Sequence, residues 1–345
     1  MATSYFDLSA EDQGSLLAQA EIETGRAQAV IEKDIWVSVV LRELFSMPER
    51  KLMAFKGGTS LSKVYSVIHR FSEDIDITID YRELGCEYTL ADLVGLSRGK
   101  RDKVSDELKA KVKDYTSNTV QPYLLARLHT LGCGDECTVS ADEKGETLLV
   151  GYPSRVAERG TYMLQHVKVE FGGRNIIEPN AVHTIVPDVV DLFPNVEFPT
   201  AEGVVVLAAE RTFWEKVTLI HDECNRGISV DSGRLSRHWY DLAMLSRHDC
   251  GQRAVADRSL LAEVIDIKNV FFRRATSQYE LCLAGALVLI PNAENVVQLG
   301  RDYDAMQASG MLNGHVFTLE EILADLAALQ DQINNKASTP LRAQT

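Results

Sequence analysis

The chain has few cysteines, no long hydrophobic run and no excess of positive charge. Six cysteines are scattered over 345 residues. Only Cys133 and Cys137 lie close together, in "CGDEC", and no second pair stands near enough to complete a zinc pattern. The segment therefore reads as a turn, and the cysteines as reduced structural thiols. The longest apolar run, "LCLAGALVLI" from Leu281 to Ile290, is too short to cross a bilayer. The start of the chain shows neither the basic n-region nor the apolar h-region of a secretion signal. These absences point to a cytoplasmic protein with no membrane association. A net charge of −14 argues against a generally basic nucleic-acid coat protein. Internal repeats and low-complexity blocks are also lacking.

What remains is an ordinary globular composition in a chain long enough for two or three domains. The charge is uneven. "RGKRDKVSDELKAKVK" carries Arg98, Lys100, Arg101, Lys103, Lys109, Lys111 and Lys113 against Asp102, Asp106 and Glu107. Such an island is usually a solvated helix face. The sharper alternative is a surface that contacts phosphates.

Periodicity divides the chain further. Ser9 to Phe45 reads as helical, with Ile31, Ile35 and Val39 near helical spacing and Pro48 beyond the end. "KLMAF" reads as a short strand leading to Gly57 and Gly58. Leu61, Val64, Tyr65 and Ile68 then follow the spacing of one helix face, with Ser60 placed as an N-cap. "DIDITID" switches the period from 3.6 to 2. Ile75, Ile77 and Ile79 face one way; Asp74, Asp76, Thr78 and Asp80 face the other. "ETLLVGYP" and "MLQHVKVEFGG" read as strands. "PNAVHTIVPDVVDLFPNVEFP", with its several prolines, reads as an extended connector. The composition shifts near Thr200, and from "AAERTFWEKVTLIHDE" to the end the pattern is mostly helical, closing in a frayed tail, "KASTPLRAQT". The expected organisation is an N-terminal domain over 1–199 with a basic helical insert at 97–128, a helical domain over 200–335, and a tail over 336–345.

The chemistry concentrates at Gly57–Asp76. Two carboxylates at i and i+2 on a strand project from one face, where they can hold divalent cations against a polyphosphate. A lone D-x-D pair would read as a solvated edge. The residues before it change the balance: Gly57 and Gly58 let backbone approach a ligand, and a helix opening at Ser60 offers N–H groups to phosphate. Glu170, opposite in facing to Val169 and Phe171, is the candidate third acid, although a plain surface glutamate beside a lysine fits the pattern too. Lys216 borders the apolar face made by Phe213, Val217 and Ile220; it either reaches triphosphate oxygens or snorkels to water. Asp241 is either an acid near the site or the i,i+4 partner of Arg237.

"KGGTSLSKVYSVIHRFSEDIDI" resembles the first motif of the AbiEii-type nucleotidyltransferase toxins of type IV toxin–antitoxin systems. That motif is a Gly-Ser turn followed by a D-x-D strand, as in the wider DNA-polymerase-β-like superfamily. "VKVEFGGR" resembles the family's later acidic strand, "ERTFWEKVTLIHDE" its lysine-bearing helix, and "RHWYDLAML" its arginine/aspartate helix. The stretch from Arg301 to Asn334 also resembles a C-terminal segment found in part of the family. The resemblance implies an α+β fold: a nucleotidyltransferase core with a small mixed β-sheet flanked by helices, then a mainly helical C-terminal domain. It also implies that Gly57, Gly58 and Ser60 bind the nucleotide, that Asp74, Asp76 and Glu170 bind Mg²⁺ or Mn²⁺, that Lys216 holds the NTP phosphates, and that Asp241 is an acid essential to activity. The implied reaction is transfer of nucleotides from an NTP to RNA, with the tRNA 3′ end as first candidate, which blocks translation. A cognate antitoxin protein would be the partner. A protein acceptor, a small hydroxylated acceptor and a non-catalytic nucleotide sensor are the alternatives.

Overall fold

Ser9 opens the first helix: its hydroxyl oxygen accepts from the Asp12 N–H, and Glu11 and Asp12 place negative charge at the positive helix end. This helix, α1 (Ala10–Thr24), stops at Gly25, whose φ of 68° is a left-handed cap. A second helix, α2 (Gln28–Ser46), follows. The helical run from Ser9 to Phe45 is thus broken once, where glycine can leave the helix cheaply. The structure is a computed structural model and describes residues 2–133, 136–156, 166–228 and 233–337. The start of the expected strand at Met163, the middle of the turn between Cys133 and Cys137, and the expected tail from residue 338 on lie outside the described residues; Lys336 and Ala337, expected to fray, end a helix.

Contacts divide the chain into two units. One comprises Met1–Val64, Phe71–Glu87 and Lys103–Leu207; the other comprises Tyr65–Arg70, Tyr88–Asp102 and Ala208–Thr345.

The first unit is built on a mixed sheet. Its strands, after a short β1 (Thr3–Ser4), are β2 (Met53–Lys56), β3 (Ile75–Asp80), β4 (Thr138–Ala141), β5 (Thr147–Gly151), β6 (His166–Asn175) and β7 (Asn180–Ile185). They are completed by β9 (Ala201–Leu207), while β8 (Val196–Glu197) pairs with β1. The spatial order is β4-β5-β6-β3-β2-β9-β7. β6 runs parallel to β3, and β2 parallel to β9; the other neighbours are antiparallel. Ile75, Ile77 and Ile79 are buried, as are Val167, Val169 and Phe171 on β6. The alternating sequence is the cause: one face of each strand is apolar throughout. α2 packs against β6 and β9.

Two sequence expectations change here. Asn180–Ile185 and Ala201–Leu207 are strands that pair with each other, not a connector followed by helix. β7 lies at the sheet edge and most of it is exposed, so its polar composition hides its conformation.

α2 carries three consecutive buried charges. Glu32 accepts hydrogen bonds from Ser154 Oγ and the Arg155 N–H, both at 2.6 Å. Lys33 pairs with Glu73. Asp34 pairs with Lys63 and accepts from the Asp188 N–H at 2.7 Å. Lys63 also donates to Asp188 at 2.9 Å, and Arg26 meets the same carboxylate at 2.6 Å. Burial raises the Asp34 carboxyl above its ordinary value, against the pull of Lys63.

The second unit is helical. It contains α4 (Leu90–Gly95), α7 (Ala209–Arg226), α8 (Ser236–Arg247), α9 (Asp249–Ala256), α10 (Arg258–Phe271), α11 (Glu280–Ala284), α12 (Ala293–Ala308) and α13 (Leu319–Ala337). α7 packs against α8, α9 and α10, and α8 against α12 and α13. Two fully buried tryptophans fix this packing. Trp214 Nε1 donates to the Ala254 carbonyl at 3.1 Å, and Trp239 Nε1 to the Leu289 carbonyl at 3.0 Å. Among the described residues no helix is long and apolar enough to cross a membrane.

The basic island is α5 (Arg98–Tyr115), followed by α6 (Gln121–Leu128); the boundary between the units falls within α5. Val104, Leu108 and Val112 are buried, while Arg98, Lys100, Lys103, Lys111 and Lys113 are exposed. Arg98 pairs with Asp102 and Lys103 with Glu107, both at 3.9 Å. Such exposed pairs add little stability.

Candidate active site

β2 ends at Lys56, and the chain turns at once into α3 (Gly57–Lys63). Gly57 makes the turn with φ of 81°, in the left-handed region that favours glycine. A side chain there would also have no room. An added Cβ would meet the Asp76 carboxylate, with Cγ at 2.8 Å and Cβ at 3.2 Å. The glycine backbone and the Asp76 side chain therefore lie against each other. Gly58 is buried in the first turn of α3.

Ser60 does not cap this helix. α3 starts three residues earlier than its apolar spacing suggests, and Ser60 lies inside it with its hydroxyl donating to the Gly57 carbonyl at 2.9 Å. The helix also ends at Lys63 and does not continue to Ile68. Thr59, which sequence reasoning passed over, joins the turn to the acid strand. Its hydroxyl donates to the Asp74 carbonyl at 2.5 Å and lies 3.0 Å from Ser72 Oγ.

Across the sheet, one register row reads Thr147, Glu170, Asp76, Lys56. Lys168 precedes Glu170 by one pleat period on β6, so these two share a face; Asp74 lies just before β3, two residues ahead of Asp76. The strand pairing that would bring Glu170 beside Asp76 is present. Its carboxylate, however, is ion-paired with Lys168, two residues before it on the same strand. Burial disfavours the Lys168 ammonium. The hydrogen bond to Glu170 and the charges of Glu170, Asp74 and Asp76 outweigh that and raise its pKa. Among the described residues no three acids or histidines converge to hold a metal ion. Asp76 on the core-backed β3, with Asp74 immediately before that strand, nevertheless offers the oxygen donors that a hard divalent cation takes. Lys56, opposite Asp76, is the further residue of the row that periodicity did not flag; its strand's pairing was the signal needed.

In the second unit, Asp241 on α8 is fully buried. Arg70 grips it with a fork: Nε to Oδ1 at 2.6 Å and Nη2 to Oδ2 at 2.8 Å. Lys216 Nζ on α7 stands 2.8 Å from Oδ2. The expected i,i+4 pair with Arg237 does not form. Burial would raise the Asp241 carboxyl, but the charges and hydrogen bonds of Arg70 and Lys216 hold it well below the usual carboxylate range. Burial pulls the Lys216 ammonium below the ordinary lysine value; Asp241 opposes this and Arg70 adds to it. His238 is kept neutral by burial and by the charges of Lys216 and Arg237. Two cations, Arg70 and Lys216, share one carboxylate, so the cluster carries excess positive charge.

An acid-bearing strand after a glycine turn, on a mixed sheet followed by helices, is what the resemblance to the nucleotidyltransferase toxins implies. The sequence model of the family described as "Nucleotidyl transferase AbiEii toxin, Type IV TA system" matches residues 39–325. The chain belongs to that family and is an NTP-dependent nucleotidyltransferase, the toxin of a type IV toxin–antitoxin pair. No curated protein matches it. Among solved structures it is similar to MenT4, a nucleotidyltransferase toxin from Mycobacterium tuberculosis. The identity is 17% and the TM-score 0.42, over 92% of this chain and 98% of that one.

Proposed function

We propose that the enzyme transfers a nucleoside monophosphate from an NTP to a hydroxyl of RNA, with the tRNA 3′ end as first candidate, and so blocks translation. The observation that carries the reading is Asp76 on β3, with Asp74 immediately before that strand and Gly57 packed on the Asp76 carboxylate. Asp74 and Asp76 would hold Mg²⁺ or Mn²⁺, with Glu170 as the third acid of the row. A divalent cation held there would supply Lewis-acid activation of the acceptor hydroxyl and would offset pyrophosphate charge. Gly57 and Gly58 keep the turn open to close approach by phosphate. Ser60 stabilises the turn by its bond to the Gly57 carbonyl, which makes it a positioning residue.

Lys216 is assigned to the nucleotide phosphates, on the family's motif order and on the positive excess around it. Asp241 acts by holding Arg70 and Lys216. A carboxylate that is buried, doubly paired and ionised far below working pH is a poor proton carrier. The surplus of exposed lysines on α5 supplies a phosphate-contacting surface, and such binding weakens steeply with salt. The acidic chain as a whole suits a cytoplasmic enzyme met by an antitoxin.

The test is incubation with each labelled NTP, Mg²⁺ and total RNA. Label in RNA, lost in Asp76→Asn, supports the reading. Label in protein alone, or NTP binding without transfer, overturns it.

A further inference from the structure

We propose that Lys168 is a built-in latch on Glu170: it holds this third acid away from the Asp74–Asp76 pair, and a divalent cation completes its ligand set only by displacing the ammonium. This rests on the assignment of the carboxylate row as the cation site.

Two observations carry it. Glu170 stands directly beside Asp76 in the parallel register, so its backbone is already in place. Its carboxylate is engaged by Lys168, and among the described residues no three acids converge. A lysine is suited to this role because its flexible stem and point charge can swing away, whereas an arginine fork would hold Glu170 in two bonds. Lys168 is thereby a positioning residue: it occupies Glu170 until a divalent cation arrives.

The experiment is Mn²⁺ binding to the full chain without nucleotide, followed by electron paramagnetic resonance. The proteins are wild type, Lys168→Met, Glu170→Gln, the double variant, and Asp76→Asn as control. The Lys168 side chain is 37% exposed, so methionine is accommodated at that position. Lys168→Met should tighten Mn²⁺ binding by about tenfold, and the gain should largely vanish when the same change is made in the Glu170→Gln background. Unchanged or weaker binding in Lys168→Met overturns the latch. An equal gain with and without Glu170 also overturns it, because that is a net-charge effect alone. If Asp76→Asn binds Mn²⁺ as wild type does, the carboxylate row is not the cation site, and both the latch and that assignment fall.

Discussion

Replacing Asp241 with asparagine removes one negative charge and keeps the side chain's shape. Its effect follows from what is left behind. Arg70 and Lys216 have side chains only 3% and 9% exposed, and both point at Asp241. With asparagine, the amide oxygen can accept from one of them, while the amide nitrogen turns a donor toward donors. Breaking a buried ion pair from one side typically costs about 3–5 kcal/mol. Lys216 can shed its proton more readily than an ordinary lysine, which brings the expected loss to the lower end, about 3 kcal/mol. Trp214 and Trp239, both buried in the same unit, report its unfolding by fluorescence. With a urea slope of roughly 1–3 kcal/mol/M, the midpoint should fall by about 1 M or more. The pH dependence has a definite sign. The folded Asp241 pKa lies below its unfolded value, so its contribution is present above about pH 4 and fades as pH falls through the folded pKa. Wild type and variant should therefore converge in stability only in strong acid. A midpoint within about 0.3 M of wild type at pH 7, together with lost transfer, would refute the clamp and return Asp241 to acid–base chemistry.

Gly57→Ala forces a left-handed φ on alanine, at about 1–2 kcal/mol, and drives a methyl into the Asp76 carboxylate. Transfer should fall more than about tenfold while the melting temperature moves only a few degrees. Equal activity would separate the glycine from the acid. Thr59→Val keeps the shape of the side chain but removes its hydrogen bond to the Asp74 carbonyl. The variant should lose about 1 kcal/mol of stability in urea unfolding, with a weaker response of transfer to added Mn²⁺. Asp76→Asn should leave the unfolding midpoint near wild type and abolish labelled transfer.

The acid strand was the most legible part of the chain. Alternation of isoleucine with aspartate or threonine over Asp74–Asp80 states both the conformation and which side chains share a face, because a strand's period is a local property. The turn before it was half legible. Two glycines marked a bend, but the apolar spacing after Ser60 suggested a later start for α3, since nothing in the spacing reveals that Gly57 takes a φ of 81° against Asp76. β7 and β9 were missed for a related reason. Their partners are each other and β2, and an edge strand with mostly exposed residues carries no alternation to read.

The charged residues show where local reading stops. Helical spacing offered Arg237 as the partner of Asp241, because one turn back is the only neighbour that a helix guarantees. The actual partners are Lys216 on another helix and Arg70, which is 171 positions away. Likewise Glu32, Lys33 and Asp34 look like a solvated patch in sequence, yet each is buried against residues from distant segments, Ser154, Glu73 and Asp188. A charge can be buried only where a partner offsets its lost hydration, and the partner's position is set by the fold. Glu170 belongs to the same class. Its facing was readable from β6, but its engagement by Lys168 depends on rotamers that periodicity does not fix. The pattern of a sequence therefore predicts which acids stand in a row. Whether those acids are available to a cation is decided by the nearest ammonium, and that is the quantity the Mn²⁺ titration of Lys168→Met measures.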